Sequence, residues 1–367
     1  QSFQALKNIV ENGPKCGIFT VIFNVGGTSM QLLRPEEKRL AEEIAQSTFV
    51  LKSGRVYDSK GSWLDIEKEI STSAFDTFVK FYNEAIKDSQ QLTVYLDELE
   101  GKVCETGEYK IPIGKNLGGE TEYMSFFGSC QDYLMSGATR IGKTNALHVI
   151  IYNTIKYVPN AELYLVDFKQ GVEFAPYAGL NHPVIKALAV ESVPEFGYAV
   201  LRHIEDKIKA ISELFINNGV KNWKEYYERT GKVIPVTIVI LDEFQHLFDT
   251  EVGKECSRII EVIAKEGGAF NVHIILSTQS MSSVAGLTET AKINIFGRMA
   301  FYHSEKEYAS MLWGDTHLAL TLSGEVKGQM VFATGDKNSQ RLLQWALAKP
   351  VGTVVNELCK PVNDGRY

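Results

Sequence analysis

The segment that most constrains this chain is Gly137 to Thr144, which has the sequence GATRIGKT. It fits the pattern G-x-x-x-x-G-K-[ST] of a phosphate-binding loop. A short apolar run precedes it at residues 132–136, and residues 145–157 follow with helical spacing. A strand, a glycine loop and a helix in this order are the context in which such a loop binds phosphate. An ordinary glycine turn is the alternative, and the flanking segments favour a P-loop nucleotide-binding fold.

The residues of this loop each have a physical reason to be there. The glycines allow backbone N–H groups to point inward at phosphate oxygens, and the positive end of the helix dipole adds to the attraction. Lys143 can reach the β- and γ-phosphates, and the Thr144 hydroxyl can ligate Mg²⁺. The predicted ligands are therefore ATP and Mg²⁺. The predicted nucleotide-binding residues are Gly137, Ala138, Thr139, Arg140, Ile141, Gly142, Lys143, Thr144 and Asn145.

Two acidic residues, Asp242 and Glu243, follow the most apolar run of the chain, residues 236–241. The carboxyl ends of buried parallel strands lie on the ligand side of a sheet. We therefore expect Asp242 to hold the magnesium shell together with Thr144, and Glu243 to polarise the attacking water as general base. A strand that simply ends in solvated acids is the alternative, and the presence of the phosphate loop favours the catalytic assignment.

Polar residues also end two other predicted strands. Gln279 follows the strand at 272–276, where an amide could orient water beside the γ-phosphate or respond to hydrolysis; a polar strand cap is the alternative. Asp167 and Lys169 follow the strand at 163–167. They could contact the phosphate loop or a subunit edge, or they could be a solvated strand end, and the sequence favours neither.

Apolar runs alternate with helical segments from about residue 105 onward. Because these runs have no polar alternation, they are typical of strands buried on both faces. The sequence therefore predicts an α/β fold with a mainly parallel central sheet flanked by helices and preceded by a smaller α/β section. The predicted strands of the sheet are 132–136, 163–167, 184–190, 236–241, 272–276 and 298–302, and the longest helix is 193–217.

Charge and cysteine content limit the partners and the compartment. The net charge of −7 argues against a protein coated in nucleic acid, but a narrow basic channel stays possible because local potential decides binding. No apolar run reaches the ~18 residues of a membrane span. Five scattered cysteines without a C-x-x-C pair fit a reducing cytoplasm. Because Gln1 is not an initiator Met, we expect a piece of a longer protein, whose other parts could carry a membrane anchor.

Five ordered blocks together resemble the ATPase domain of the FtsK/SpoIIIE/HerA motor superfamily. The blocks are GATRIGKT, VDFKQGVEF, VILDEF, HIILSTQ and INIFGRMAF, and they fall within about residues 105–350. The resemblance implies a RecA-like P-loop NTPase fold. It also implies that Lys143 and Thr144 are Walker A residues, that Asp242 and Glu243 are Walker B residues, and that Gln279 is the sensor-like residue.

The chain departs from the family pattern at the arginines. Arg140 stands where the family usually has Ser or Gly. Residues 207–209 are Lys-Ile-Lys where many members carry paired arginines that act in trans, and a lysine lacks the bidentate fork of an arginine. The resemblance places Arg298 in the family's Arg-Ile-Ala-Phe-like strand and makes it a candidate catalytic residue. Arg202 and Arg258 are the other candidates.

The resemblance implies a ring, usually a hexamer, with ATP between subunits. We expect an ATP-hydrolysing motor that translocates double-stranded DNA, with pore loops near residues 280–290 and 170–177. The first loop is rich in Ser and Thr, whose hydroxyls suit phosphate contacts. A flexible surface turn is the alternative, and the sequence favours neither. The alternative is the ATPase module of a type VII-like protein secretion motor, which takes a protein substrate. A module that only binds nucleotide is disfavoured by the intact site residues. The expected location is cytoplasmic.

The domain prediction has three parts. Residues 1–95 are the tail of a preceding degenerate ATPase-like module, or an accessory α/β section. Their residues 9–23 align with residues 263–277, although any helix–glycine–strand unit would do so. Residues 96–350 are the ATPase domain, and residues 351–367 are a C-terminal tail.

Overall fold

The computed structural model divides the chain into two units, Gln1–Gln91 and Leu92–Tyr367. In the first unit it describes a small antiparallel sheet of three strands, β1 (Val50–Lys52), β2 (Arg55–Tyr57) and β3 (Trp63–Leu64). The helix, glycine and strand predicted at residues 9–23 lie outside the described residues. In the second unit the structure describes residues 93–104, 107, 109–116, 118–128, 130–169, 173–180, 182–189, 193–282 and 284–358.

The second unit is built on one large sheet with helices packed against it. Its strands are β4 (Val94–Tyr95), β5 (Lys110–Asn116), β6 (Thr121–Ser125), β7 (Tyr133–Ser136), β8 (Glu162–Asp167), β9 (Ile185–Ala189), β10 (Thr237–Asp242), β11 (Val272–Thr278), β12 (Gly297–Phe301), β13 (Gln329–Thr334) and β14 (Arg341–Leu347). Its helices are α1 (Lys143–Tyr157), α2 (Pro194–Asn218), α3 (Trp223–Thr230), α4 (Gly253–Glu266), α5 (Glu289–Asn294), α6 (Glu305–Met311) and α7 (Val351–Leu358).

Six neighbouring strands form the parallel part of the sheet, in the order β12-β7-β11-β10-β8-β9. The predicted mainly parallel arrangement is confirmed here. In register, Asp242 of β10 lies beside Asp167 of β8 and Ser277 of β11, so these strands end together at one edge. The strand before the phosphate loop, β7, is separated from the acid-bearing β10 by β11 alone. This order brings the loop, the acids and Gln279 to the same edge.

The residues of β10 explain why helices cover both faces. Ile238 and Ile240 belong to one core cluster, which includes residues of α1. Val239 and Leu241 point the opposite way, into a second cluster that includes residues of α2 and α4. All four are fully buried. A strand that is apolar at every position is therefore stable only between two helical layers.

Beyond β12 the sheet continues with antiparallel strands, in the order β13-β14-β5-β6. This antiparallel extension of the sheet was not predicted from the sequence. The short strand β4, placed in the first domain by the predicted boundary at residue 95, pairs with β14 in the second unit. The predicted tail at 351–367 begins with helix α7. No helix among the described residues is both long and apolar enough to cross a membrane.

Candidate nucleotide hydrolysis site

The phosphate-binding loop is the turn between the end of β7 at Ser136 and the start of α1 at Lys143. Two of its glycines are required by space and backbone angle. A Cβ on Gly137 would lie 2.5 Å from the Cβ of Phe301. Gly142 has φ 120°, and a Cβ there would press on Gly328. The glycines therefore allow the loop to pass close to β12 and to the segment before β13, as the motif predicts.

Lys143 is the buried cation of this loop. Its side chain is only 8% exposed, and Nζ donates to the carbonyl oxygens of Gly137 at 2.5 Å and Ala138 at 3.4 Å. Burial lowers the pKa of Lys143, while the negative charges of Glu243 and Asp242 oppose that shift. The ammonium group therefore lies within the electrostatic reach of both predicted acids.

Asp242 and Thr144 have the donor set that a magnesium ion prefers. Burial raises the pKa of Asp242 to about 6, and the neighbouring carboxylates of Glu243 and Asp167 add to the rise. A bound cation would favour the ionised form. The hydroxyl of Thr144 makes no hydrogen bond to any residue that the structure describes. Mg²⁺ is commonly held by one or two carboxylates together with substrate phosphates, so the residues present fit the ion.

Glu243 is buried next to Asp242, at the carboxyl edge of the sheet, and is 2% exposed. Its Oε1 accepts a hydrogen bond from Nε2 of Gln279 at 2.6 Å. Its Oε2 accepts from the backbone N–H of Gln279 at 3.2 Å and from Nε2 of Gln245 at 2.8 Å. The structure therefore brings together the predicted general base and the predicted sensor. Gln245 was missed, because a lone glutamine two residues after an acid carries no motif.

Asp167 lies at the same edge and organises the loop that follows β8. It is fully buried, and its carboxylate accepts backbone N–H groups from Lys169 at 2.7 Å and Glu173 at 3.1 Å. The alternative of a solvated strand end is therefore wrong for Asp167, although Lys169 itself is exposed. Arg140 is also exposed, and it makes no ion pair with Asp167 or Glu173.

Asn145 was predicted to bind nucleotide, but its amide has other partners. Nδ2 donates to the carbonyl of Ala346 at 2.7 Å, and Oδ1 accepts from the N–H of Ala348 at 2.8 Å. Both partners belong to the end of β14 and the residues after it. The side chain therefore fastens the start of α1 to that segment, and its amide is not available to a phosphate while these bonds are made.

Arg298 is placed as a structural residue, in disagreement with a catalytic role. It is 3% exposed, its guanidinium donates to the carbonyls of Ile295, Gly297 and Lys292, and it stacks on the ring of Trp313. These carbonyls end helix α5 and begin β12. An arginine whose donors are used in this way cannot reach a nucleotide without leaving its pocket.

The two other candidate arginines share one acidic partner. Arg202 donates to Glu205 at 2.8 Å, and Arg258 donates to the same carboxylate at 2.6 Å. Burial alone would raise the pKa of Glu205, but the bonds from Arg258 and Lys209 outweigh it and lower the pKa. Arg258 thus ties α4 to α2 through Glu205, and Arg202 does so through an ion pair with Glu255 at 3.6 Å. The sequence alone could not distinguish these contacts from a role in trans.

The segment predicted as a pore loop, 280–290, is packed against the protein. Met281, Val284 and Leu287 are buried in the second core cluster. The hydroxyls that were expected to face phosphate are used internally: Ser282 and Ser280 donate to Glu307, and Thr288 caps helix α5 and donates to Glu261. In the other predicted pore loop, residues 170–172 lie outside the described part, and Phe174 and Tyr177 are buried.

Comparison with known proteins agrees with this geometry. The family model described as "FtsK/SpoIIIE family" matches residues 97–285, just over half of the chain. DNA translocase FtsK of Lactococcus lactis subsp. cremoris is 28% identical over 259 residues, which are 67% of this chain and 33% of that protein. The type VII secretion system protein EssC of Staphylococcus aureus is 26% identical over 230 residues, which are 61% of this chain and 15% of that protein. The chain thus spans a third or less of these relatives.

Solved structures share the fold. The pCW3 conjugation coupling protein TcpA, solved with ATPγS, superposes with a TM-score of 0.57 at 21% identity, covering 72% of this chain and 74% of that chain. ATPases 2 and 3 of EssC from Geobacillus thermodenitrificans superpose with a TM-score of 0.56 at 16% identity, covering 72% and 50%. These matches confirm the P-loop ATPase architecture, and they do not choose between substrates.

Proposed function

The chain belongs to the FtsK/SpoIIIE family of P-loop ATPases, and we propose that it is the motor domain of a hexameric ring that translocates double-stranded DNA. The observation that carries the ATPase part is the meeting of Lys143, Asp242, Glu243 and Gln279 at one edge of the sheet. The DNA part is supported by the FtsK relatives, which match two-thirds of the chain.

Each site residue has a separate part in the proposed hydrolysis of ATP. Lys143 exchanges its bonds to the loop carbonyls for the β- and γ-phosphate oxygens and offsets the charge on the transferred group. Thr144 and Asp242 would hold Mg²⁺, which supplies further positive charge beside the phosphates. Glu243 accepts the proton of the attacking water, and Gln279 orients that water or responds to the γ-phosphate. Because Gln279 now bonds Glu243, this part requires that bond to open.

A second function is the ATPase module of a type VII-like protein secretion motor. The match to EssC of Staphylococcus aureus favours it, and so does the segment Asp167-Phe168-Lys169-Gln170-Gly171 at the end of β8. The net charge of −7 is mildly in its favour, since a bulk negative charge repels DNA. A basic channel formed in a ring would remove that objection.

The two functions differ in which polymer stimulates ATP turnover. If the chain translocates DNA, linear duplex DNA should raise the rate of ATP hydrolysis, and the stimulation should fall steeply between 50 and 200 mM salt, by about 10- to 1,000-fold in apparent affinity, because phosphate contacts release counterions. The measurement is a coupled ATPase assay over that salt range. Lys143→Ala is the control and should lose turnover with and without DNA.

Absence of any response to duplex DNA, combined with stimulation by a helical protein substrate, would reject DNA translocation in favour of secretion. Full turnover by Lys143→Ala would reject the assignment of the site itself.

A further inference from the structure

Three hydrogen bonds from two glutamines hold the Glu243 carboxylate. Gln279 provides two of them, through its side chain at 2.6 Å and its backbone N–H at 3.2 Å. Gln245 provides the third, at 2.8 Å to Oε2. A carboxylate offers about four lone-pair positions, so most of the acceptor capacity of the predicted general base is already used. The carboxylate therefore faces protein amides, whereas catalysis needs it to face water.

The backbone around Glu243 fixes where Gln245 lies. Glu243 has φ 52° and ψ 44°, in the left-handed region that non-glycine residues avoid. A short 3₁₀ turn, Phe244–Leu247, follows, and both of its end residues are fully buried. The turn places the side chain of Gln245 within hydrogen-bond distance of the Glu243 carboxylate. The contact between Gln245 and Glu243 is thus fixed by the strained backbone at Glu243 and by the buried ends of the turn. It does not depend on the chance orientation of an exposed side chain.

The bond to Glu243 leaves the oxygen of the Gln245 amide without a partner among the described residues. This oxygen, Oε1, is buried and has no hydrogen-bond partner in the described part of the chain. Reversing the amide would place Oε1 against the Glu243 oxygen, and two acceptors would then repel each other, so the observed orientation is the favoured one. A buried acceptor without a partner is unfavourable. Moving the side chain outward would hydrate Oε1 and at the same time free Glu243.

We propose that Gln245 is a positioning residue that holds the Glu243 carboxylate in a resting orientation, so that ATP hydrolysis proceeds only after the Gln245 side chain has moved away. The proposal rests on the proposed ATPase function. Gln279 is at the strand end and leaves Glu243 when it turns to the γ-phosphate, which makes Gln245 the remaining restraint. Gln245 thereby sets how much ATP is hydrolysed before a translocation substrate is present.

The experiment measures kcat and KM for ATP without any DNA or protein substrate. Gln245→Ala removes the donor, and Gln245→Glu keeps nearly the same volume while replacing the N–H donor with a second acceptor. Both variants should raise the basal kcat by about 10- to 100-fold, the scale of one hydrogen bond to a charged group, with KM within about twofold. Thermal unfolding of each variant reports whether the fold is retained.

Gln340 provides a matched control. It also donates through Nε2, to the carbonyl of Asp315 at 3.1 Å, and also has a buried Oε1 without a partner, but it lies in the loop between β13 and β14. Gln340→Ala should leave the basal kcat unchanged. A rise in kcat for this variant as well would mean that loosening any part of the fold activates the enzyme, and it would overturn the proposal.

Other outcomes are equally decisive. A fall in kcat for Gln245→Ala would show that Gln245 orients the base for catalysis. An unchanged kcat in either Gln245→Ala or Gln245→Glu would show that Gln245 serves only packing. Each overturns the resting restraint but leaves the ATPase proposal intact, provided that wild-type turnover requires Lys143 and Glu243. Wild-type protein without such turnover would instead reject the proposed function.

Discussion

The two edges of the parallel strands both bury a carboxylate but give it different partners. At the carboxyl edge, Glu243 is bonded to glutamine side chains and lies near the cation of Lys143. At the amino edge, Asp132 is 5% exposed, its Oδ1 accepts the backbone N–H of Ile274 at 2.7 Å, and its carbonyl accepts that of Gly297 at 3.0 Å. Asp132 thus joins β7 to β11 and β12. The two carboxylates are therefore buried alike but differ in their partners, which are a backbone N–H group of a strand for Asp132 and mainly side-chain amides near a buried cation for Glu243.

The largest effect that we expect from the difference between the two edges is on ATP turnover. Glu243→Gln should lower kcat for ATP by about 100- to 10,000-fold, the range for loss of a general base, while nucleotide affinity is retained because Lys143 and the loop are unchanged. Asp132→Asn should leave kcat within about twofold. Single-turnover hydrolysis and equilibrium nucleotide binding measure the two quantities. If Asp132→Asn lowered turnover as much as Glu243→Gln did, the assignment of functions to the two edges would be wrong.

The pH dependence of stability should sharpen the contrast. Burial raises the pKa of Asp132 from 3.8 to about 8. Between these values the folded protein binds a proton that the unfolded chain has lost, so this group favours folding most at low pH and its contribution falls as pH rises toward 8. Asp132→Asn, which keeps an acceptor for Ile274, should flatten that fall, by up to about 3 kcal/mol between pH 5 and 7.

The measurement is the urea midpoint of wild type and Asp132→Asn at several pH values, with the difference between them isolating this one group. A difference that stays constant with pH would show that Asp132 is ionised in the folded protein, and would remove the distinction drawn from its burial.

The smallest predicted effect concerns two residues with left-handed backbone, one at each edge. Arg140 has φ 61° and Asn271 has φ 59°. Arg140→Gly should raise stability by about 1 kcal/mol, because the side chain is exposed and only the backbone strain is lost. Asn271→Gly should lower it by about 1 kcal/mol or more, because Nδ2 donates to the buried carbonyl of Ile234 at 2.9 Å. Denaturant unfolding of both variants tests the pair, and shifts of the same sign would contradict it.

The parts that could be predicted from sequence were those in which local chemistry and strand-end position agree. The glycine loop, the acids after β10 and Gln279 after β11 met for this reason. The internal partners of Arg298 were not predicted, because a sequence shows the charge of an arginine but not the carbonyls to which it donates. The internal hydrogen bonds of the segment 280–290 were not predicted, because Ser and Thr suit solvent, phosphate and internal partners equally well.

The antiparallel strands β13, β14 and β6, and the pairing of β5 with the main sheet, were not predicted for a related reason. They carry no chemical motif, and short strands at the margin of a sheet have weak patterns that depend on their neighbours. The contact of Gln245 with Glu243 could not be predicted for the same reason, because it depends on neighbouring structure. The partner of Gln245 is set by a left-handed turn, which sequence spacing does not reveal.

The fastening of the phosphate loop to β14 has a mechanical consequence. Gly328 donates to the carbonyl of Ile141 and accepts from Trp345, both through the backbone, and Asn145 holds the residues that follow Trp345. A displacement of the loop would therefore be transmitted to β14 through these hydrogen bonds. Helix α7 follows directly and is joined to α1 through Glu357 and Tyr152 at 3.0 Å. The C-terminal end of the described residues is thus connected by hydrogen bonds to the phosphate-binding loop and to the helix that follows it.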